Sequence, residues 1–236
     1  GVSRIFKTTT MGKVILGDCM NLETGLPSYP DNFFDLAIVD PPYGIGIMKQ
    51  FESANKVGTN SMFKQTKGIV KKCWDDKIPD AEYFAELKRV SKNQIIWGGN
   101  YFLDHLNNTK CVLIWDKMNG GNNMADAELA WTSFETAVRM FRMHHFSRGY
   151  GEKIHLAQKP VKLYQWILKN YALEGDKILD THLGSGSSRI AAHKMGFDFY
   201  GFEIDPDYFS ESEKRFKESI SMPIFDKQIA TQNELF

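Results

Sequence analysis

The sequence predicts an α/β fold: a doubly wound, mostly parallel sheet of seven or eight strands within a single domain, residues 1–236. The first observation is a series of short apolar runs rich in Val, Ile, Phe and Trp, which are typical of buried strands. The second is that amphipathic stretches of helical spacing alternate with these runs. The third is that proline-containing or glycine-rich turns follow some of the runs, as they do at the strand ends where doubly wound sheets bind ligands.

The apolar runs give eight predicted strands: Lys13–Gly17, Asp35–Val39, Asn93–Trp97, Cys111–Trp115, Ala127–Thr132, Ala137–Met143, Lys177–Leu179 and Phe197–Phe202. The spacing of apolar residues, with proline at the start of three of the segments, predicts four helices: Pro79–Val90, Pro160–Leu173, Ser187–Met195 and Pro206–Ser219. Residues 44–78 are polar and glycine-rich and are predicted to form a long mobile loop. A loop of that length inside a domain usually has a function.

Composition excludes several classes of protein. No apolar run approaches the roughly 18 residues of a membrane span, and no secretory signal is visible. Three widely and irregularly spaced cysteines, Cys19, Cys73 and Cys111, match neither a disulfide framework nor a zinc pattern. The six histidines are scattered as well, so no metal is predicted. The expected location is a reducing cytoplasm.

The tetrapeptide Asp40-Pro41-Pro42-Tyr43 follows directly after the predicted strand Asp35–Val39. Two prolines fix the backbone and remove two N–H groups, which leaves carbonyls free to accept hydrogen bonds. A carboxylate and a carbonyl together can accept both hydrogens of an exocyclic base amine and stabilise its developing positive charge. Tyr43 offers an aromatic face to an extruded base, worth roughly 1–3 kcal/mol. The alternative is a simple turn in which the prolines only end the strand.

A second motif starts in the predicted strand Lys177–Leu179 and runs from Asp180 through Gly184-Ser185-Gly186 into a helix. Its glycines permit close backbone approach to a ligand, and the helix start presents N–H groups to an anion. The motif lacks the lysine of a phosphate loop and the third glycine of a dinucleotide fingerprint. Glu203, 19 residues after Gly184 at the end of the next predicted strand, can bind both hydroxyls of a ribose. A nucleoside cofactor is therefore predicted.

Together the two motifs resemble those of the DNA amino-methyltransferases, specifically the permuted beta class, in which the catalytic tetrapeptide precedes the cofactor loop. The resemblance covers roughly Lys13 to Phe216. It implies the S-adenosylmethionine-dependent methyltransferase fold, S-adenosylmethionine as the cofactor and double-stranded DNA as the partner. It also implies a bacterial, archaeal or phage origin and a place among DNA modification and restriction–modification enzymes. Asp at the start of the tetrapeptide is typical of enzymes that methylate adenine N6, so site-specific adenine methylation by base flipping is expected.

Further family elements follow in the same order. Gly17-Asp18-Cys19 resembles the segment that contacts the cofactor adenine, and residues 155–160, H-L-A-Q-K-P, resemble the H-x-x-Q-K-P element at its methionine end. The resemblance thus implies these cofactor contacts: Asp18, His155, Lys159, Asp180, Gly184, Ser185, Gly186 and Glu203. Two positions depart from the family. His182 stands where the family has Phe, which favours a packing role over a proton shuttle, and Leu-Ala after His155 replaces Pro-Thr, which removes a hydroxyl.

Basic residues concentrate in two segments although the net charge is zero. Met48–Lys72 has six lysines against Glu52 alone, and Ala137–Lys153 has four basic residues against one acidic residue. Such runs are usually solvated loops, but these two flank the predicted site, which favours contacts to DNA phosphates. The predicted contacts are Lys49, Lys64, Lys71, Lys72, Arg139, Arg142 and Arg148. Residues 134–153 are short for a recognition element, so specificity draws on the first segment or on a second subunit of a homodimer.

Residues 221–236 are predicted to form a flexible tail that ends in Gln232-Asn233-Glu234-Leu235-Phe236. This pentapeptide resembles the Q-x-x-L-F motif that binds the bacterial sliding clamp, which implies such a partner through Gln232, Leu235 and Phe236. The alternative is that the two apolar residues fold back onto the domain. Three other functions stay open: methylation of cytosine N4, methylation of RNA, and a catalytically silent, cofactor-binding regulatory role.

Overall fold

The structure, a computed structural model, describes residues 12–46, 77–120, 125–144 and 158–221. Its strands are β1 (Lys13–Leu16), β2 (Phe34–Val39), β3 (Ser91–Trp97), β4 (Val112–Asp116), β5 (Ala127–Thr132), β6 (Arg139–Arg142), β7 (Lys177–Asp180) and β8 (Asp198–Glu203). Its helices are α1 (Ala81–Val90), α2 (Val161–Tyr171), α3 (Ser187–Met195) and α4 (Pro206–Ser221). Short 3₁₀ turns occur at Leu26–Ser28 and Gly99–Tyr101.

All of these strands belong to one sheet, in the order β1-β8-β7-β2-β3-β5-β4-β6. Neighbouring strands are parallel except where β5 pairs with β3 and β4, to both of which it is antiparallel. The other seven strands therefore end at one edge of the sheet, here called the carboxyl edge, and β5 begins there. As a result Glu128, the second residue of β5, lies opposite Trp115 near the end of β4.

The strand order reverses at the centre of the sheet. From β2 the chain continues through α1 to β3 on one side, and from β7 it continues through α3 to β8 on the other. Strands β2 and β7 are direct neighbours, with Ala37 opposite Leu179. Doubly wound sheets bind ligands in the crevice that such a reversal opens at the carboxyl edge. Two turns border this crevice. The turn after β2 contains the tetrapeptide that begins at Asp40, and the turn after β7 contains the glycines of the predicted cofactor motif.

Two buried apolar clusters cover the two faces of the sheet. Leu36 and Ile38 of β2 belong to one cluster, to which α2 and α3 contribute, whereas Ala37 and Val39 belong to the other, to which α1 contributes. This division follows from the alternation of side chains along a strand. Because both faces are covered, residues 36–39 of β2 are all apolar and buried, as the sequence indicated.

The helix boundaries follow from local chemistry. Asp80 begins α1 because its side chain accepts a hydrogen bond from the backbone N–H of Tyr83, and Pro160 directly precedes α2. Gly186 and Gly196 adopt left-handed backbone conformations at the two ends of α3. The start of α3 is thereby fixed directly after Gly184-Ser185-Gly186, here called the glycine loop, and the start of α2 directly after Lys159.

The predicted fold class is confirmed, and the predicted strands and helices match the observed ones to within two residues at each end. Most of the predicted loop at residues 44–78 and the predicted tail lie outside the described residues. Within the described ranges, no helix has the length and apolar character that crossing a bilayer requires. Over the same part of the chain, no group of three or more His, Cys, Asp or Glu side chains could hold a metal ion.

Phe34 is a position in the sheet at which a single change should cause a large loss of stability. It is fully buried at the start of β2, and its ring centroid lies 4.9 Å from those of Tyr29 and Phe33 and 5.3 Å from that of Tyr200. Phe34→Ala should lower the free energy of unfolding by about 3–5 kcal/mol, because the cavity cannot fill without moving three rings. Urea denaturation measures this change.

Leu22→Ala is the control for this variant. Leu22 is 76% exposed, so its truncation should change the free energy of unfolding by less than about 0.5 kcal/mol. An equal loss in the two variants would contradict the assignment of Phe34 to the core.

Candidate active site

Four carboxylates lie along the carboxyl edge of the sheet. Asp18 follows β1, Glu203 ends β8, Asp180 ends β7 and Asp40 follows β2. These four strands are consecutive in the sheet. The fold therefore brings the acids predicted to bind the cofactor and the acid predicted to be catalytic to one edge, although they lie far apart in the sequence.

The Asp40-Pro41-Pro42-Tyr43 turn is held by contacts to both oxygens of Asp40. The hydroxyl of Tyr43 donates to Asp40 Oδ1 at 2.6 Å, and Lys159 Nζ donates to Asp40 Oδ2 at 2.5 Å. Lys159 Nζ also lies 3.2 Å from the Tyr43 hydroxyl. The carboxylate is thus fixed from two directions. Lys159, which the resemblance assigned to the cofactor, contacts the predicted catalytic acid, and its contact to the cofactor stays a prediction.

Lys159 joins Asp40 to a second acid. Its ammonium lies 2.9 Å from Glu128 Oε2, and Glu128 Oε1 lies 2.5 Å from the ammonium of Lys117. The side chain of Lys159 is only 1% exposed and those of Asp40, Glu128 and Lys117 are 15–22% exposed. The indole ring of Trp97 lies beside Lys159, with its centroid 5.3 Å from Nζ. Two cations and two carboxylates therefore alternate in a largely buried chain, here called the charge chain.

Burial and ion pairing have opposite effects on the pKa values in the charge chain. Burial alone would raise the pKa of Glu128, but Lys159 and Lys117 lower it to about 2. Burial alone would lower the pKa of Lys159, but Asp40 and Glu128 raise it. For Asp40, burial together with the negative charge of Glu128 raises the pKa, and the ammonium of Lys159 only partly opposes this. Glu128 and Lys159 are accordingly both charged at neutral pH.

The ring of Tyr43 stacks on an aromatic neighbour. Its centroid lies 4.9 Å from that of Tyr101 with an interplanar angle of 15°, and Tyr101 is 42% exposed. Gly98, with a φ of +71°, allows the backbone after β3 to approach this ring, since a Cβ there would lie 2.2 Å from a carbon of Tyr43. Stacking of a base on Tyr43 stays a prediction. A base that stacks there must use the face opposite Tyr101 or displace Tyr101.

The glycine loop is hydrogen-bonded to the side chain of Glu203. The backbone N–H of Gly184 donates to Glu203 Oε2 at 2.8 Å, and that of Asp205 donates to Oε1 at 2.9 Å. Gly184 and Gly186 have φ values of +50° and +71°, which side chains disfavour. The carboxylate of Glu203 is thus oriented at the carboxyl edge by the loop itself, and its contact to ribose hydroxyls stays a prediction.

Asp180 is a buried carboxylate. The Ser188 hydroxyl donates to its Oδ2 at 2.5 Å and the backbone N–H of His182 donates to its Oδ1 at 3.0 Å. Both of these described donors are neutral, and burial raises the pKa of Asp180 to about 7. Its position therefore favours a cationic ligand, whose charge would lower that pKa.

His182 has a packing environment. Its Nδ1 lies 2.9 Å from the Thr181 hydroxyl, and its ring meets that of Tyr83 edge to face at a centroid distance of 5.5 Å. Burial lowers the pKa of His182 to about 4, so the imidazole is neutral at pH 7. These contacts agree with the packing role that the sequence favoured over a proton shuttle.

Only part of the predicted DNA-contacting set is described. Arg139 and Arg142 are exposed on β6, which forms one end of the sheet, and Arg142 Nε lies 3.3 Å from Asp116 Oδ2. Strand β6 is four positions from β2, or roughly 19 Å at ordinary strand spacing, so these arginines are remote from Asp40. Lys49, Lys64, Lys71, Lys72, Arg148 and the predicted cofactor residue His155 lie outside the described residues, as do Gln232, Leu235 and Phe236.

Sequence reasoning missed Glu128, Lys117 and Tyr101. A weak signal exists for Glu128, because it is an acid within the apolar strand β5, where a charged residue needs a partner. Lys117 directly follows β4, and its backbone N–H donates to the Asp126 carbonyl across the hairpin. The pairing of Glu128 with Lys159 could not be read from the sequence, since it depends on the reversed direction of β5.

The fold and the site define a doubly wound α/β protein with a nucleoside-type loop beside an acidic turn, and comparisons with known proteins agree. The "DNA methylase" family profile matches residues 107–214. The type II methyltransferase M.HinfI of Haemophilus influenzae is 31% identical over 258 residues, which cover 88% of this chain and 69% of the relative. This chain therefore belongs to the DNA methylase family.

Solved structures show the same fold. The S-adenosyl-L-methionine complex of TTHA0409 from Thermus thermophilus superposes with a TM-score of 0.55 at 16% identity, over 89% of this chain and 95% of that one. The PvuII DNA methyltransferase, which is cytosine-N4-specific, superposes with a TM-score of 0.55 at 15% identity, over 90% and 92% of the two chains. Proteins with this fold thus include a cytosine-N4-specific enzyme.

The buried carboxylate of Asp180 should make stability depend on pH. Its folded-state pKa of about 7 is above the ordinary 3.8, so the folded protein binds the proton more tightly and Asp180 lowers stability as the pH rises from about 4 to 7. Asp180→Asn should therefore raise the free energy of unfolding of the ligand-free protein at pH 8, by on the order of 2 kcal/mol. At pH 5 the gain should be smaller.

Urea denaturation at the two pH values measures this difference. The amide can still accept from the His182 N–H and can donate to Ser188, so the packing is preserved. A gain that is equal at pH 5 and pH 8, or a loss at pH 8, would contradict the raised pKa.

Proposed function

We propose that this protein transfers a methyl group from S-adenosylmethionine to the N6 amine of adenine in double-stranded DNA. The observation that carries the proposal is the position of Asp40, whose turn lies at the reversal of strand order beside the glycine loop after β7. An acceptor for an amine and a binding site for a nucleoside cofactor therefore share one crevice. Membership of the DNA methylase family supports the same chemistry.

The Asp40 turn supplies what an exocyclic amine needs in order to react. The lone pair of such an amine is delocalised into the base, so the amine is a weak nucleophile. Asp40 and the carbonyl of Pro41 accept its two N–H bonds, which favours a pyramidal nitrogen and stabilises the positive charge that develops on it. Tyr43 and Lys159 hold the carboxylate in place before the base arrives. After transfer, Asp40 can accept the proton that the methylated amine releases, since burial raises its pKa.

The acids of the carboxyl edge fit S-adenosylmethionine. When bound, this cofactor supplies a methyl group on a positively charged sulfonium. Glu203, oriented by the N–H groups of Gly184 and Asp205, holds the ribose hydroxyls. Asp180, a buried carboxylate whose described donors are neutral, binds the positively charged methionine end. Asp18 lies after β1, one strand beyond Glu203, where the resemblance places the adenine ring.

Adenine is proposed as the target because Asp rather than Ser begins the tetrapeptide. The base leaves the duplex before it reacts, at a cost of a few kcal/mol. Cytosine N4 is the second candidate, since its amine has the same two N–H groups and the cytosine-N4-specific PvuII enzyme has this fold. Arg139, Arg142 and the lysines of the Met48–Lys72 segment contribute phosphate contacts in this proposal.

The direct test is methyl transfer from labelled S-adenosylmethionine to duplex DNA, with the product nucleoside identified by mass spectrometry. We expect N6-methyladenine from the unaltered protein. Asp40→Ala should bind the cofactor with unchanged affinity and lose at least about 10²–10³-fold in kcat, because it removes an acceptor that acts on the developing charge. Calorimetry measures the binding and the same assay measures the rate.

Asp31→Ala is the control, because Asp31 is a 72% exposed acid that pairs with Arg89 away from the carboxyl edge. Its kcat should equal that of the unaltered protein. If the product is N4-methylcytosine, the target base is cytosine instead of adenine and the proposed role of Asp40 is unchanged. Cofactor binding without transfer to DNA would support a silent regulatory protein, and near-normal transfer by Asp40→Ala would refute the role of Asp40.

A further inference from the structure

Glu128 does not take part in the proposed transfer of the methyl group, yet it pairs with the same lysine, Lys159, that pairs with Asp40. It reaches the carboxyl edge only because β5 begins there, and its carboxylate bridges Lys159 at 2.9 Å and Lys117 at 2.5 Å. A carboxylate in so enclosed a position is unfavourable unless it is paired. Its two ion pairs satisfy that requirement, and they also connect it to Asp40 through Lys159.

The contact between Lys159 and Asp40 creates a problem for the proposed reaction. An ammonium at 2.5 Å draws charge from the carboxylate that must accept hydrogen bonds from the amine. It also places a positive charge close to the nitrogen that becomes positive during transfer. With Lys159 alone, the catalytic turn would be nearly neutral and would stabilise that developing charge poorly.

We infer that Glu128 is a positioning residue for methyl transfer: it shares the ammonium of Lys159 with Asp40, so that Lys159 orients the Asp40 carboxylate without neutralising it. Lys117 is the second part of this device, because it keeps Glu128 ionised and limits how strongly Glu128 attracts Lys159. Glu128 acts through Lys159 and does not contact the base. The inference rests on the proposed amine methylation and adds to it the residues that set the charge of the acceptor.

The electrostatic surroundings of Asp40 make the effect of each partner predictable. In the described part of the chain, the groups that act on Asp40 include Tyr43 in its own turn, Lys159 before α2, Glu128 on β5, Asp180 on β7 and Tyr83 on α1. Lys159 is the cation among these described groups. The share of its charge that Glu128 takes therefore decides how strongly Asp40 is neutralised.

The test is the pH dependence of kcat for methyl transfer, at saturating cofactor so that titration of Asp180 during cofactor binding does not contribute. In Glu128→Gln, Lys159 pairs with Asp40 alone, so kcat should fall about tenfold. The acid limb of the profile, which is the fall of kcat at low pH as Asp40 becomes protonated, should move to lower pH. Lys117→Met leaves Glu128 with Lys159 alone, so Lys159 shifts toward Glu128 and the acid limb should move to higher pH. The KM for the cofactor should change less than about twofold in both variants.

Opposite shifts in the two variants are the signature of the shared charge, because a loss of packing would not move the acid limb in two directions. Glu86→Gln is the matched control: its side chain is 21% exposed, as against 22% for Glu128, and it is ion-paired with Arg89 at 2.7 Å. It should leave kcat and the pH profile unchanged. Thermal melting of each variant confirms that it folds.

The outcomes separate this inference from the proposed function. If the unaltered protein transfers no methyl group to DNA, the proposed function fails. If it does transfer, and both variants fold, an unmoved acid limb or shifts in the same direction would overturn the role of Glu128 while the role of Asp40 stands.

Discussion

The geometry of the site at the carboxyl edge depends on the ion pairs of the buried Lys159 ammonium. The ammonium joins the turn after β2 to the antiparallel strand β5 through Asp40 and Glu128, and it lies beside the indole of Trp97 at the end of β3. Three strands therefore converge on one charge. The side chain of Lys159 is 1% exposed, so water cannot replace a lost carboxylate partner. The cluster therefore fixes both the positions of Asp40 and Glu128 and the balance of charge around Lys159.

The reversed direction of one strand makes this arrangement possible. A sheet in which every strand is parallel presents only strand ends at the carboxyl edge. Because β5 runs the other way, it presents its beginning there, and Glu128 enters a region otherwise formed by the ends of its neighbours β3 and β4 and by the turn after β2. The reversal of strand order between β2 and β7 then places the charge chain on one side of the crevice and Glu203 on the other.

The sequence predicted the parts of this protein that local chemistry determines. Apolar runs defined the strands, and glycine or proline defined the turns after β2 and β7, so the sequence alone placed Asp40, Asp180 and Glu203 at strand ends. The pairing of Glu128 with Lys159 could not be predicted, because it depends on strand direction and order rather than on neighbouring residues. The same is true of Tyr101, whose stacking on Tyr43 requires the close approach of Gly98 to that ring. Local sequence patterns thus predicted where the acids lie, whereas the ion pairs that set their pKa values depend on tertiary packing.

The proposed mechanism depends on Asp40, held by Lys159 and Tyr43, as the acceptor for the target amine. The most direct measurement is a crystal structure of the protein with duplex DNA and an unreactive analogue of the cofactor. We expect a base outside the duplex with its amine within about 3 Å of the Asp40 carboxylate and the Pro41 carbonyl, and Lys159 still between Asp40 and Glu128. An extruded base whose amine contacts neither acceptor, or a Lys159 that has left Asp40 to bind phosphate, would contradict this mechanism.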